Sequence, residues 1–249
     1  MHEAGYRALG LPFTYVPFEV RDLTGALAGM RALGIRGFGV SQPYKQAVIP
    51  LLDALDPVAE QIGAVNTIVG SAGRLVGHNT DWIGAVRALE ETSSLSGARV
   101  LLLGAGGAAR AIAFGLRERR ARVTIVNRTA AKADALAKAT GARAAPWDET
   151  NRLGDYEVVV NATTLGQHGV DDASLPVESI RVGQLVMDIV YKPLRTPFLV
   201  AARGRGAIAV HGGRMLLHQA CAQFELYTGQ PAPREAMDEA LRAAIGVAD

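Results

Sequence analysis

Val100-Leu-Leu-Leu103 runs directly into Gly104-Ala-Gly-Gly-Ala-Ala109, and a helical pattern over 107–119 opens inside the glycines. Strand, tight turn and helix in that order make the first step of a parallel sheet with helices on its faces. The glycines let main-chain N–H groups approach a bound group, and the helix N-terminus adds a partial positive charge. G-x-G-G-A-A is the dinucleotide fingerprint with Ala109 in the third glycine's place, which the fingerprint accepts. Gly104, Ala105, Gly106, Gly107 and Ala108 are therefore expected at a pyrophosphate. The alternative is a packing turn that binds nothing.

The strand that follows, 122–126, ends in Asn127-Arg-Thr129. An NAD site usually carries an acid here for the ribose hydroxyls. Arg128 instead suits the 2′-phosphate of NADP, Lys132 adds charge one turn later, and Asn127 and Thr129 flank it. NADP is expected over NAD; the alternative is a solvated surface arginine.

Composition closes off other classes. A chain of 249 residues, 49% hydrophobic and 20% charged, suits one large or two small globular domains. A net charge of +2 is too balanced to argue for nucleic acid or a membrane surface. Cys221 is the only cysteine, which fits a reducing compartment. No apolar run approaches the about 18 residues of a membrane span, and MHEAGYRALG is not expected to be a signal peptide. His2, His78, His168, His211 and His218 show no H-x-x-x-H spacing, so no metal is expected. Gly39-Val-Ser-Gln-Pro43 lacks the last glycine of a serine-hydrolase elbow, and no G-x-x-x-x-G-K-[ST] loop occurs.

Upstream of the turn, 13–18 reads as a strand and 22–33 as a helix capped by Asp22 and closed by Gly34. A strand at 36–40 follows, then a helix after Pro43 with Leu51, Leu52 and Leu55 on one face. A hairpin pairs 66–70 with 74–78, and 83–90 reads as a helix. Glu91-Thr-Ser-Ser-Leu-Ser-Gly97 marks a boundary. Beyond it come strand 99–103, helix 107–119, strand 122–126 and helix 129–139. Strands near 156–161 and 185–190, a helix near 196–203, a strand near 207–210 and an all-helical 213–246 complete the chain. The expectation is a two-lobed α/β protein. Residues 1–92 form an α/β substrate domain completed by C-terminal helices 213–249, and 93–212 form a Rossmann dinucleotide-binding domain.

Several short segments in order carry a resemblance. They are Gly39-Val-Ser-Gln-Pro-Tyr-Lys45, Ile62-Gly-Ala-Val-Asn-Thr67, Gly77-His-Asn-Thr-Asp81, the glycine turn and Asn127-Arg-Thr129. Asn161-Ala-Thr163, Asp188-Ile-Val-Tyr-Lys-Pro193 with Thr196-Pro197, and Gly212-Gly-Arg-Met-Leu216 with Gln219 follow. Together, over nearly the whole chain, they resemble the motifs of the shikimate dehydrogenase family. The resemblance implies NADP-linked reduction of 3-dehydroshikimate to shikimate, a cytoplasmic step of aromatic amino-acid biosynthesis; the length suits a monomer or a homodimer alike. The resemblance also implies Lys45 and Asp81 as the catalytic pair. It places Ser41, Asn66, Asn79, Tyr191 and Gln219 at the substrate, and Ala162, Thr163, Gly212 and Met215 at the cofactor. Read without the family, Asp81 is equally a helix N-cap, the asparagines turn residues, Tyr191 a core aromatic and Gln219 an exposed helical residue.

The chain also departs from that pattern. Gly39 replaces an asparagine, Ser41 a threonine, Gln42 and Gln46 flank Lys45, and His168 stands near a methionine position. These differences leave open a quinate or other polyhydroxy ring-acid dehydrogenase, or a catalytically silent nucleotide-binding relative. Met1–Gly10 resembles the stretch just after the family's S-x-S-P-x-x-H-N loop. A first strand, lying between 13–18 and 36–40, and two serines for the substrate carboxylate are therefore expected to be lacking.

Overall fold

The computed structural model describes residues 1–166 and 175–246; His168 lies outside them. The chain divides into two units, Met1–Asp81 with Leu217–Asp249, and Trp82–Leu216.

The first unit opens with α1 (His2–Ala8), α2 (Leu23–Ala32), β1 (Gly37–Gly39) and α3 (Tyr44–Ala47). A 3-10 turn at Ile49–Leu51, β2 (Ala54–Leu55), α4 (Pro57–Ile62), β3 (Thr67–Ser71) and β4 (Arg74–His78) follow. Asp22 caps α2 as expected, its Oδ1 accepting from the Gly25 N–H at 3.0 Å. The sheet order is β1-β3-β4-β2, with β1/β3 and β3/β4 antiparallel and β4/β2 parallel. Leu27 and Met30 of α2 pack with Val48, Ala59, Val65, Ile68 and Leu75 to form its core.

Two expectations fail in this unit. Residues 13–18 form no strand. Their side chains are held by aromatic contacts instead of a ladder: Tyr15 stacks on His2 at 4.3 Å between centroids, and Phe13 meets the edge of Tyr6 at 5.6 Å. The Glu3 carboxylate takes up the Tyr15 N–H at 2.5 Å, and Pro17 has no N–H to give. Nor does one helix run from Pro43 through Leu55. Asp53 exchanges hydrogen bonds with Leu75, N–H to carbonyl at 3.0 Å and carboxylate to N–H at 2.6 Å, which draws the chain into β2. Leu51, Leu52 and Leu55 still pack against the core.

The second unit begins within α5 (Asp81–Glu90) and continues through β5 (Arg99–Leu103), α6 (Gly107–Glu118), β6 (Arg122–Val126), α7 (Ala130–Thr140) and β7 (Arg143–Ala145). A 3-10 segment at Trp147–Asp155, β8 (Val158–Asn161), β9 (Leu185–Asp188), α8 (Pro197–Gly204) and β10 (Ile208–His211) complete it. The six strands are all parallel, in the order β10-β9-β8-β5-β6-β7. Alternation along them feeds two cores: Val100, Leu102, Val158 and Val160 on one face, Leu101, Leu103, Val159 and Val186 on the other. This is a Rossmann fold. Its order reverses between β5 and β8, which places a ligand crevice at the carboxyl ends of those strands.

α9 (Gly212–Thr228) crosses from one unit to the other at 216/217, and α10 (Arg234–Ile245) belongs to the first. The boundaries thus differ from the expected 92/93 and 212/213. The reason is α5, whose Ala85, Val86, Ala88 and Leu89 share a core with Val100, Leu102 and Ile112.

Candidate active site

In the first unit, backbone pairing assembles a polar cluster. The Val65 N–H donates to the Lys45 carbonyl at 2.8 Å, Val40 N–H to the Asn66 carbonyl at 2.7 Å, and Asn66 N–H to the His78 carbonyl at 3.1 Å. These bonds put α3, the start of β3 and the end of β4 side by side. Asn79 then turns the chain into α5. Its Oδ1 accepts from the Asp81 N–H at 3.0 Å, and its Nδ2 donates to the Ala64 carbonyl at 2.9 Å.

Asp81, 5% exposed, is the first residue of α5. Lys45 Nζ donates to its Oδ2 at 2.7 Å, and Asn66 Nδ2 to its Oδ1 at 2.9 Å. The helix N-terminus further favours negative charge there. The Lys45 side chain is partly open, at 17% exposure. An ammonium has three donors, so one oriented by Asp81 has others for a ligand oxygen. A buried carboxylate holding a reachable ammonium is the arrangement that moves a proton to or from such an oxygen.

The other expected substrate residues fall out differently. Asn66 lies inside the cluster, and its Nδ2 is 3.3 Å from Gln219 Oε1 on α9. Asn79 has both ends of its amide engaged by main chain, so it braces Asp81. Ser41 is exposed. Tyr191 is 45% exposed and is no core aromatic. Thr67, Thr80 and Gln223 also join the cluster, although the sequence reading gave them no role. The spacing held one signal: Gln223 lies one helical turn beyond Gln219.

In the second unit the glycine turn sits at the crevice. Gly104 has φ +113°, and a Cβ there would lie 2.7 Å from the Ala162 carbonyl, so glycine is required by the protein's own packing. Gly106 caps α6 at φ −81°, and a Cβ on it would meet nothing within 4 Å. Its glycine is therefore not demanded by the fold; close approach of a pyrophosphate to the main chain would demand it. Ala109 is fully buried, as a small residue between helix and strand should be. At the end of β6, Arg128 and Lys132 are exposed, and the Asn127 amide ties back to the Thr129 carbonyl at 3.0 Å. Neither cation is paired among the described residues. The turn and these cations fit a phosphorylated dinucleotide.

Ala162 and Thr163 follow β8 at the same end of the sheet. Thr163 Oγ1 donates to Asn161 Oδ1 at 2.6 Å, and Asn161 Nδ2 to Asp188 Oδ1 at 3.1 Å. Asp188 also accepts from the Thr196 hydroxyl at 2.7 Å and the Val190 N–H at 3.0 Å. Burial raises its carboxyl above the ordinary range, and those three donors oppose the rise. The network pins the two loops that carry Thr163 and Tyr191. Gly212 abuts the Ile189 carbonyl too closely for any side chain, and Met215 is buried in the core.

A groove of about 600 Å³ lies at the opposite, amino ends of the strands, lined by Arg122, Glu157, Arg181 and Ile208 among others. Its Glu157 pairs with Arg99 at 2.7 Å, but both side chains are about half exposed, unlike the buried Asp81. Among the described residues no helix is long and apolar enough to cross a membrane, and no group of three His, Cys, Asp or Glu converges on a metal position.

Known proteins match this architecture along its length. Residues 1–68 match the family model of the shikimate dehydrogenase substrate binding domain. Residues 87–190 match that of shikimate / quinate 5-dehydrogenase, and 212–242 that of the shikimate 5′-dehydrogenase C-terminal domain. The shikimate dehydrogenase (NADP(+)) of Moorella thermoacetica is 45% identical over 260 residues, covering 99% of this chain and 88% of its own. The crystal structure of shikimate 5-dehydrogenase from Thermus thermophilus in complex with NADP(H) and shikimate superposes with a TM-score of 0.90 at 38% identity, covering 98% of this chain and 92% of its own. Quinate dehydrogenase from Corynebacterium glutamicum in complex with NAD gives 0.86 at 32% identity, covering 97% and 92%. Sequence, fold and the polar cluster agree: the chain belongs to the shikimate dehydrogenase family.

Proposed function

We propose that the protein catalyses the reversible, NADP-dependent reduction of 3-dehydroshikimate to shikimate. It is an oxidoreductase of its family, and the observation that carries the reading is the Lys45–Asp81 pair, 2.7 Å apart with the carboxylate buried. When bound at the glycine turn, the cofactor would give a hydride as NADPH in reduction and take one as NADP⁺ in oxidation. In reduction, Lys45 gives a proton to the oxygen that becomes the alcohol, and in oxidation it takes that proton back. Asp81 holds the Lys45 side chain in place throughout. Asn66 and Gln219, beside the pair, offer both donors and acceptors to ring hydroxyls, and Ser41 and Tyr191 are the further substrate contacts. The chain of Gly104 to Ala108, with Ala162, Thr163, Gly212 and Met215, lines the cofactor position. Arg128 and Lys132 take the 2′-phosphate, the contact that separates NADP from NAD. The single, buried, free Cys221 suits the reducing cytoplasm.

The test is a steady-state panel of shikimate and quinate, each with NADP and NAD. The expected result is the highest kcat/KM for shikimate with NADP. Preference for quinate would move the protein to the related ring-acid dehydrogenases. NADP binding without turnover of either acid would make it a silent relative.

A further inference from the structure

We propose that Thr67 and Gln223 are positioning residues for the reaction, because they fix which end of the Asn66 amide faces Asp81. The inference rests on the function proposed above.

Asn66 is 2% exposed and touches the Asp81 carboxylate through its Nδ2. With its amide turned over, an oxygen would face that carboxylate and repel it, and Asp81 would shift away from Lys45. Three donors reach the oxygen end: the Thr80 N–H at 2.7 Å, the Thr67 hydroxyl at 2.8 Å and, at the longer distance of 3.3 Å, the Thr80 hydroxyl. A hydroxyl has one hydrogen, and Thr67 Oγ1 also has Thr80 Oγ1 within 3.5 Å. Distance favours Asn66, at 2.8 Å against 3.5 Å, and Gln223 keeps that hydrogen from turning towards α9. Its Nε2 can only donate; it lies 2.9 Å from Thr67 Oγ1 and 3.2 Å from the Asn66 carbonyl. It occupies a Thr67 lone pair and leaves the Thr67 hydrogen for Asn66.

The same helix reads the other end of that amide. Gln219, one turn earlier on α9, presents Oε1 to Asn66 Nδ2 at 3.3 Å. A donor and an acceptor spaced by one turn thus specify opposite ends of one buried amide, directly at Nδ2 and through Thr67 at Oδ1. In a buried network of this kind, loss of one member leaves its partners unsatisfied and free to rearrange. Thr67 and Gln223 touch no reacting atom in this scheme; they act through Asn66 on the placement of Asp81.

The test uses Thr67→Val, which keeps shape and loses the hydroxyl, Thr67→Ser, which keeps the hydroxyl, and Gln223→Met, which keeps length and loses the amide. For each, kcat and KM are measured for shikimate oxidation with NADP, with melting temperature and calorimetric NADP affinity on the same sample. Thr67→Val and Gln223→Met should each lower kcat by about 3- to 10-fold, the worth of one hydrogen bond, and leave NADP affinity unchanged. Thr67→Ser should restore kcat to within about 2-fold of wild type by keeping that bond. The double variant Thr67→Val with Gln223→Met should be no slower than the slower single one, since both act on one amide.

A folded Thr67→Val enzyme with wild-type kcat, or a Thr67→Ser enzyme as slow as Thr67→Val, overturns the proposal. If Thr67→Val does not fold, Gln223→Met carries the same two readings. A wild-type protein that binds NADP but does not oxidise shikimate overturns the functional reading itself, and is seen before any variant is made.

Discussion

Asp81 divides its two oxygens between Lys45 and Asn66, and nothing in the spacing of these residues along the chain foretells the meeting. Lys45 and Asp81 come together because β3 pairs with β4 and because the Lys45 carbonyl accepts from Val65. Such pairing is non-local and leaves no periodicity to read; only the family resemblance pointed to it. The glycine turn is the opposite case, since Gly104 to Ala109 are contiguous, and the strand, turn and helix they join are legible from the residues themselves. Asn79 lies between these cases: its side chain, expected at the substrate, holds the Asp81 main chain. Two outcomes follow at this scale. Lys45→Ala should lower kcat by about 10²–10⁴-fold, as loss of a general acid or base does, and barely move the melting temperature. Arg128→Ala should raise the KM for NADP by about 10- to 100-fold, the worth of a charge-assisted bond, and leave that for NAD little changed. Kinetics with both cofactors check the second; an equal rise for both would show that Arg128 does not read the 2′-phosphate.

Elements were readable where each is specified by its own residues. β5, β6 and β8 are apolar runs buried on both faces, and α6 announces itself by its glycines and its apolar stripe. Residues 13–18 read as a strand from their apolar and aromatic run but have no ladder, because His2, Tyr6 and Glu3 supply their partners. Likewise a helix after Pro43 looked continuous, and the Asp53–Leu75 exchange broke it. The junction of β5 and α6 gives a sharp test of structure against ligand. Gly104→Ala should destabilise the protein by about 1–3 kcal/mol through a backbone conformation that side chains avoid, with the Ala162 carbonyl in the way as well. Gly106→Ala should leave the melting temperature nearly unchanged and weaken NADP binding, because only a ligand needs that space. Thermal melts and calorimetric titration of both variants distinguish the two; a large stability loss from Gly106→Ala would contradict the reading.

At the scale of the molecule, the two units have separate cores, and the first has a buried titratable group of its own. His2 packs among Tyr6, Tyr15, Phe224 and Tyr227, close to the Met1 amine and Glu3. Burial lowers its pKa from 6.5 to about 4. The unfolded chain therefore takes up this proton first as the pH falls. The stabilisation is full above 6.5 and is lost progressively towards pH 4, by up to about 3 kcal/mol. His78, half-buried and also lowered, acts in the same direction. His2→Phe should flatten this part of the stability–pH curve, as urea melts between those limits would show; an unchanged slope would remove His2 as its source.

In the proposed NADP-linked oxidation of shikimate one lysine–carboxylate pair moves the proton, and kcat for shikimate with saturating NADP in wild type, Lys45→Ala, Asp81→Asn and the double variant shows whether it does. Turnover is expected of the wild type, with a large loss in each single variant at retained NADP affinity and a double variant no slower than the slower single one, as residues acting as a unit behave. A wild type that turns over shikimate while folded Lys45→Ala and Asp81→Asn do so equally fast would contradict that role of the pair.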